Sequence, residues 1–177
     1  QMFLGEWFEG FHEFHVSKKN SSSARGIRVW DPENGNLYLS RRQARHVFEQ
    51  AAMILTAYYN IETFEQIDAW HHAAGDFVVC MNDAEPMVKL VTVRQYKPLF
   101  NLAEKDDTLE TILNTLLIFF LKMSMRLRID RMDGVGSMTW IEEDIVSGII
   151  SGFFKGLVYQ AENFRIPHEL IHAFQVF

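Results

Sequence analysis

One cysteine, Cys80, and four prolines are present among 177 residues. A lone thiol forms no bridge within the chain, so the disulfide framework that staples small secreted modules is excluded and a cytoplasmic setting is expected. Cys80 lies in the run Phe77-Val78-Val79-Cys80-Met81 and reads as a buried thiol in a strand. Positive charge is also scarce, with 17 Lys and Arg against 23 Asp and Glu and a formal charge of −6. Polyanions are bound through clustered Lys and Arg, so nucleic acid is not an expected partner. Long apolar runs are missing too. The most apolar, Leu116 to Leu121, is closed by Lys122. It falls far short of the roughly 20 residues that a bilayer crossing needs, so no membrane segment is expected. The amino end carries no basic stretch leading into a clean apolar run, as a secretory signal would. Because the chain opens on Gln1 and stops in mid-pattern at Val176-Phe177, it is expected to be a piece of a longer protein.

What the chain has in abundance is material for an interior. It holds 15 Phe, 4 Trp and 5 Tyr, and 48% of its residues are hydrophobic, enough to offset the entropy of ordering one domain over 1–177.

Periodicity divides that domain into elements. Phe3, Trp7, Phe11 and Phe14 recur at spacings of three and four, which predicts a helix over 2–15 with His12 and His15 on its surface. The polar, serine-rich stretch 17–26 reads as a mobile loop. Ile27 to Trp30 and Leu37 to Leu39 flank a turn built on Pro32, Asn34 and Gly35, giving a hairpin. Ser40 with Gln43 forms a capping box for a helix to about Tyr59, and Thr63 with Gln66 opens a shorter helix that stops near Gly75. Phe77 to Met81 and Val88 to Val93 make a second hairpin, which Pro98 closes. A long helix follows from Asp107 to about Ile129, ended by Gly134 and Gly136. Thr139 with Glu142 caps another to about Gln160, and Pro167 opens a last one. The fold class expected is α+β: two β-hairpins forming one small antiparallel sheet packed against five or six helices.

Five strings could carry chemistry. His168-Glu169-Leu170-Ile171-His172 resembles the zinc-metalloprotease motif, in which two imidazoles one helical turn apart hold zinc and the glutamate acts on a bound water. The resemblance implies His168 and His172 as metal ligands and Glu169 as the catalytic base. Pro167 places the motif at a helix start, and no His, Asp or Glu follows it. Two Glu-x-x-His pairs, Glu9 with His12 and Glu169 with His172, are similar to the di-iron sites of helical bundles, with Glu49 and Glu110 as the further carboxylates. The segment Trp70-His71-His72-Ala73-Ala74-Gly75-Asp76 resembles the catalytic loop of aminoglycoside-kinase-type phosphotransferases, which implies Asp76 as the proton acceptor. His71 and His72 are further candidate metal ligands. The alternative for Asp76 is a carboxylate that caps a turn.

Arg126, Arg128 and Arg131 cluster with Asp130 and Asp133 at the end of the most apolar helix. They either complement the helix dipole or bind a phosphate or carboxylate cofactor. Gly148, Gly152 and Gly156 recur every four residues, so another backbone must approach closely, either from within the chain or across a homodimer seam. No catalytic set is complete within the sequence. The expected function is therefore a non-catalytic binding or regulatory domain of a larger intracellular protein, with a zinc-dependent hydrolase and a phosphotransferase-like domain as alternatives.

Overall fold

The computed structural model describes residues 8–19, 24–72, 75–81, 85–100, 108–141, 145–164 and 167–176. The first segment holds strands β1 (Phe11–His12) and β2 (Phe14–Lys18), followed by β3 (Arg25–Val29), β4 (Leu37–Tyr38) and helix α1 (Arg41–Ala57). Strands β5 (Glu65–Asp68), β6 (Phe77–Met81), β7 (Pro86–Leu90) and β8 (Gln95–Pro98) lead to α2 (Leu109–Arg128). The chain then makes β9 (Ile129–Arg131), β10 (Met138–Trp140), α3 (Val146–Phe164) and α4 (His168–Val176).

The expected count of five or six helices over a single sheet is thus corrected. Among the described residues there are four α-helices, and ten strands in four small sheets with the orders β1-β6-β7, β2-β3-β4, β5-β8 and β9-β10. Every pairing is antiparallel.

Two predicted helices are strands, for a common reason. Strand β2 buries Phe14, His15, Val16 and Ser17 in succession. Without the in-and-out alternation that marks a half-buried strand, the aromatic spacing mimics a helix. Gly10 takes φ +75°, Phe11 pairs with Cys80, and Phe14 pairs with Val29. The rest of that predicted helix, 1–7, lies outside the described residues. Strand β5 likewise buries Gln66 and Ile67 side by side, and it is bracketed by Phe64 at φ +58° and Ala69 at φ +57°.

Other boundaries moved. Helix α2 ends at Arg128 because Ile129–Arg131 pairs with Met138–Trp140, so Gly134 and Gly136 sit in a hairpin connection. Thr139 belongs to β10 and caps no helix; Glu142 and Asp107 lie outside the described residues. Of the stretch expected to be a loop, Ser17 and Lys18 close β2 while Arg25 and Gly26 open β3; 20–23 lie outside the described residues.

The first hairpin is where turn chemistry puts it, while the second pairs Phe77–Met81 with Pro86–Leu90, earlier than the expected Val88–Val93, and Pro98 ends β8 opposite Glu65. In the first, the Asp31 carboxylate accepts the Glu33 and Asn34 amides at 2.9 and 2.8 Å, and Arg28 faces Tyr38. The Ser40–Gln43 capping box of α1 is complete. Cys80 lies in β6 and is half-buried.

The glycine stripe is an internal contact. Cβ atoms on Gly148, Gly152 and Gly156 would collide with the Arg45 carbonyl, the Glu49 carbonyl and the Thr56 side chain. Contact partners therefore advance together, so α3 runs parallel to α1 with their backbones touching. The Gln160 amide extends this seam by donating to the carbonyls of Thr56 and, at 2.7 Å, Tyr59, tying α3 to the end of α1. Lys155 pairs with Glu49 beside it. Around the seam, Phe14, Phe48, Leu116, Leu127 and Phe153 form the buried core.

Replacing glycine with alanine favours an unconstrained helix by about 1 kcal/mol. At Gly152 the obstacle is backbone, so overpacking prevails and Gly152→Ala is expected to lower unfolding stability by about 1–3 kcal/mol. The denaturation midpoint measures it; an unchanged or raised midpoint would contradict the close helix contact.

Candidate functional site

Three segments remote in sequence meet beneath the β9–β10 hairpin: β2, the turn before β6, and β9. Asp130, 0% exposed, accepts the Val16 amide at 2.7 Å and the Arg131 amide at 2.7 Å. Its Oδ1 also stands 3.6 Å from His15 Nδ1 and 3.5 Å from His72 Nε2. These separations are long for hydrogen bonds, so the coupling is electrostatic. His15 turns its other nitrogen to Glu13 at 3.2 Å and packs against Trp30 with ring centres 4.8 Å apart. His72 stacks on Phe14 at 5.8 Å and meets Phe48 edge-on at 5.8 Å.

The protonation states follow from this geometry. Burial works against a charge on His15, yet the Asp130 and Glu13 carboxylates outweigh it and raise its pKa. Burial opposes the Asp130 charge as well, but His15, His72 and the Val16 amide hold its pKa well below the usual carboxylate range. His71, next along the turn, is lowered by burial and by neighbouring His72. Sequence reading had put His15 on a helix surface and Asp130 in an exposed cluster; both are wholly buried, each only 1% exposed or less. The available signal was a histidine set between Phe14 and Val16.

The residues singled out from sequence do not assemble. Asp76 is 1% exposed and accepts the His71 amide at 2.7 Å and the Arg94 guanidinium at 2.8 Å, so its carboxylate closes the 71–76 turn. His168, Glu169 and His172 lie exposed on α4 while Leu170 and Ile171 face inward. His12 lies in a strand, 3.5 Å from Asp31, with Glu9 in the turn before it, so this pair is not on a helix. Glu49 is held by Lys155, and Glu110 is exposed. Among the described residues no three His, Cys, Asp or Glu side chains gather to hold a metal.

The three arginines diverge. Arg126 bonds Asp68 at 3.1 Å and the Trp70 carbonyl at 2.6 Å. Arg131 reaches the Gly136 carbonyl at 3.4 Å. Arg128 stacks over the Trp140 ring at 4.5 Å and donates to the Ile141 carbonyl at 3.4 Å.

Trp140 and Ile141 lead to a feature that the sequence did not reveal. A half-enclosed cleft of about 330 Å3 opens between β2–β3, the start of α1, and the end of β10. Its floor is Ile27, Leu39, Ala44 and Ile141, each less than one-tenth exposed. Lys19, Arg25, Arg41 and Trp140 are also among the described residues that line it. No family model, curated protein or solved structure matches the chain. The cleft is assembled from Val16 and Lys19, from 24–27, from 39–41 with Ala44, and from Trp140, Ile141 and Ile145, so no local motif could announce it.

The pH dependence of folding has a defined sign. His15, with its raised pKa, adds stability that is complete below pH 6.5 and is lost as pH rises through its folded value. His71, with a lowered pKa, has the opposite effect on the other side, costing stability as pH falls below 6.5. Asp130 adds stability present above about pH 3.8 and lost as pH falls through its folded value. Urea midpoints should therefore peak near pH 6.5. Asp130→Asn should cost about 3–5 kcal/mol, as removing one partner of a buried ion pair does, and flatten the alkaline limb. An identical pH profile in this variant would remove the cluster from the account.

Proposed function

We propose that the chain is a non-catalytic binding or regulatory domain of a larger intracellular protein and takes its ligand in the cleft beside Trp140. The observation that carries this reading is a separation of chemistry from access. The imidazoles and carboxylate that converge, His15, His72 and Asp130, are each 1% exposed or less, where no substrate reaches them. Asp76 is engaged by Arg94 and the His71 amide. The residues Glu169, His168 and His172 are open to solvent, and among the described residues no third ligand group stands beside them. An accessible cleft, by contrast, joins an apolar floor to polar side chains such as Arg25 and Ser40, a mixture that suits a ligand site. A lone cysteine fits an intracellular setting. Among the described residues no helix is long and apolar enough to cross a membrane.

The test is turnover. Purified protein offered p-nitrophenyl esters, a casein substrate with zinc, and ATP with magnesium and a panel of small alcohols is expected to give no activity dependent on Glu169 or Asp76. Activity abolished by Glu169→Gln or Asp76→Asn, with the circular dichroism spectrum retained, would overturn the binding-domain reading. Glu169 is exposed, so that variant folds independently of what happens at buried Asp76.

A further inference from the structure

We infer that the outward face of α2 binds the same face of a second copy of this chain, with the two helices antiparallel. The interface is independent of the cleft and of whatever ligand the cleft takes.

Composition is the first argument. Helix α2 exposes Leu109, Glu110, Asn114, Ile118, Leu121 and Met125, only one of them charged, whereas the exposed residues of α1 are Arg41, Arg42 and Arg45. A helix that meets only water on its outer side carries charged and polar residues there. Ile118 is 43% exposed, Leu121 50% and Met125 57%, and the half-buried Leu117 and Ser124 beside them bring no charge. The opposite side of the helix is already packed in the core through Leu116, Phe119, Met123 and Leu127.

Spacing is the second. Asn114, Ile118, Leu121, Met125 and Arg128 follow at alternating steps of four and three residues, the seam by which helices pair in coiled coils. Such a seam is narrower than the stripe that covers a core, so it suits one further helix.

Charge selects the occupant and its direction. The first turn of α2 is acidic at Glu110, and its last turn is basic at Arg126 and Arg128. Glu110 and Arg128 stand about five full turns apart, so both leave the helix on the same side. A two-fold axis crossing the seam midway between Ile118 and Leu121 sets Ile118 against Leu121 of the second copy, and Asn114 against its Met125. The same axis brings Glu110 of each copy to Arg128 of the other, an ion pair at either end. Parallel helices would bring glutamate to glutamate and arginine to arginine. Arg128 is held in place by Trp140, 4.5 Å from the ring centre. Exposed pairs of this kind set direction and partner more than they add affinity, so the apolar positions between them supply the attraction.

Sedimentation equilibrium of the chain tests the interface. A monomer–dimer equilibrium with a dissociation constant below about 100 µM is expected. Leu121→Glu and Met125→Glu, at positions half or more exposed, should each weaken it at least tenfold and leave thermal unfolding of the monomer unchanged. Direction is read by oxidative cross-linking, with the unaltered chain as the control for Cys80. Asn114→Cys mixed with Met125→Cys should form a disulfide-linked dimer. Asn114→Cys alone should form none, because its two copies lie about 16 Å apart along the antiparallel pair, beyond the reach of a disulfide. A chain still monomeric above that concentration, or a dimer indifferent to both glutamate variants, would overturn the interface. A monomer that binds lipid vesicles or another protein through this face would overturn it equally. Cross-linking by Asn114→Cys alone would overturn the antiparallel arrangement.

Discussion

Much of this architecture hangs on one buried charge. Moving a carboxylate out of water costs several kcal/mol unless it finds compensation, and Asp130 finds it in the Val16 and Arg131 amides with two imidazoles nearby. The compensation is also topological. Strand β9 follows α2, Val16 belongs to β2 at the other end of the chain, and His72 comes from the turn before β6. The four small sheets share few edges, so side-chain contacts of this kind hold them in register. Hydrophobic burial alone would pack them without specifying their mutual positions.

The parallel α1–α3 seam supplies the complementary constraint. Glycines at every fourth position lower the helix propensity of α3, and the return is backbone contact along three turns with α1, capped by Gln160. This contact sets the beginning of α3, and with it Ile145, against the beginning of α1, where Ser40, Arg41 and Ala44 lie. The cleft therefore inherits its shape from a rigid helix pair on one side and from the β2–β3 hairpin on the other.

Legibility in the sequence followed the range of the interactions. Where local chemistry decides, as in the Asp31 turn, the Ser40–Gln43 box and the β-branched run at 77–81, the elements stand close to where the residues put them, whereas the run expected over 88–93 pairs only as far as Leu90. Helix α2 was also evident from its periodicity, starting at Leu109 behind a Thr108 cap. Strands β2 and β5 were not, because consecutive buried residues erase the period of two. Strands β8, β9 and β10 are three or four residues long, too short to carry a pattern. The site was less legible than the fold. Asp76 as a turn cap and the glycines as an internal seam were within reach of sequence, and Arg128 was singled out, though for a ligand contact and not for the indole it stacks on. His15 and Asp130 drew attention only as surface groups, since their partners come from the far end of the chain.

Strand β2 joins the two notable features of this protein. Val16 gives its amide to Asp130 and its side chain to the cleft wall. Across the β9–β10 pairing, Asp130 stands opposite Thr139, whose hydroxyl holds Arg25 at the cleft. The closed cluster thus fixes, through two adjacent backbones, the position of Val16 and Arg25 at the cleft. A reactive centre built this way would be inaccessible, because its imidazoles are sealed by Phe14, Phe48 and Trp30. A binding site gains from the same arrangement, since a wall that does not move loses little entropy when its ligand arrives.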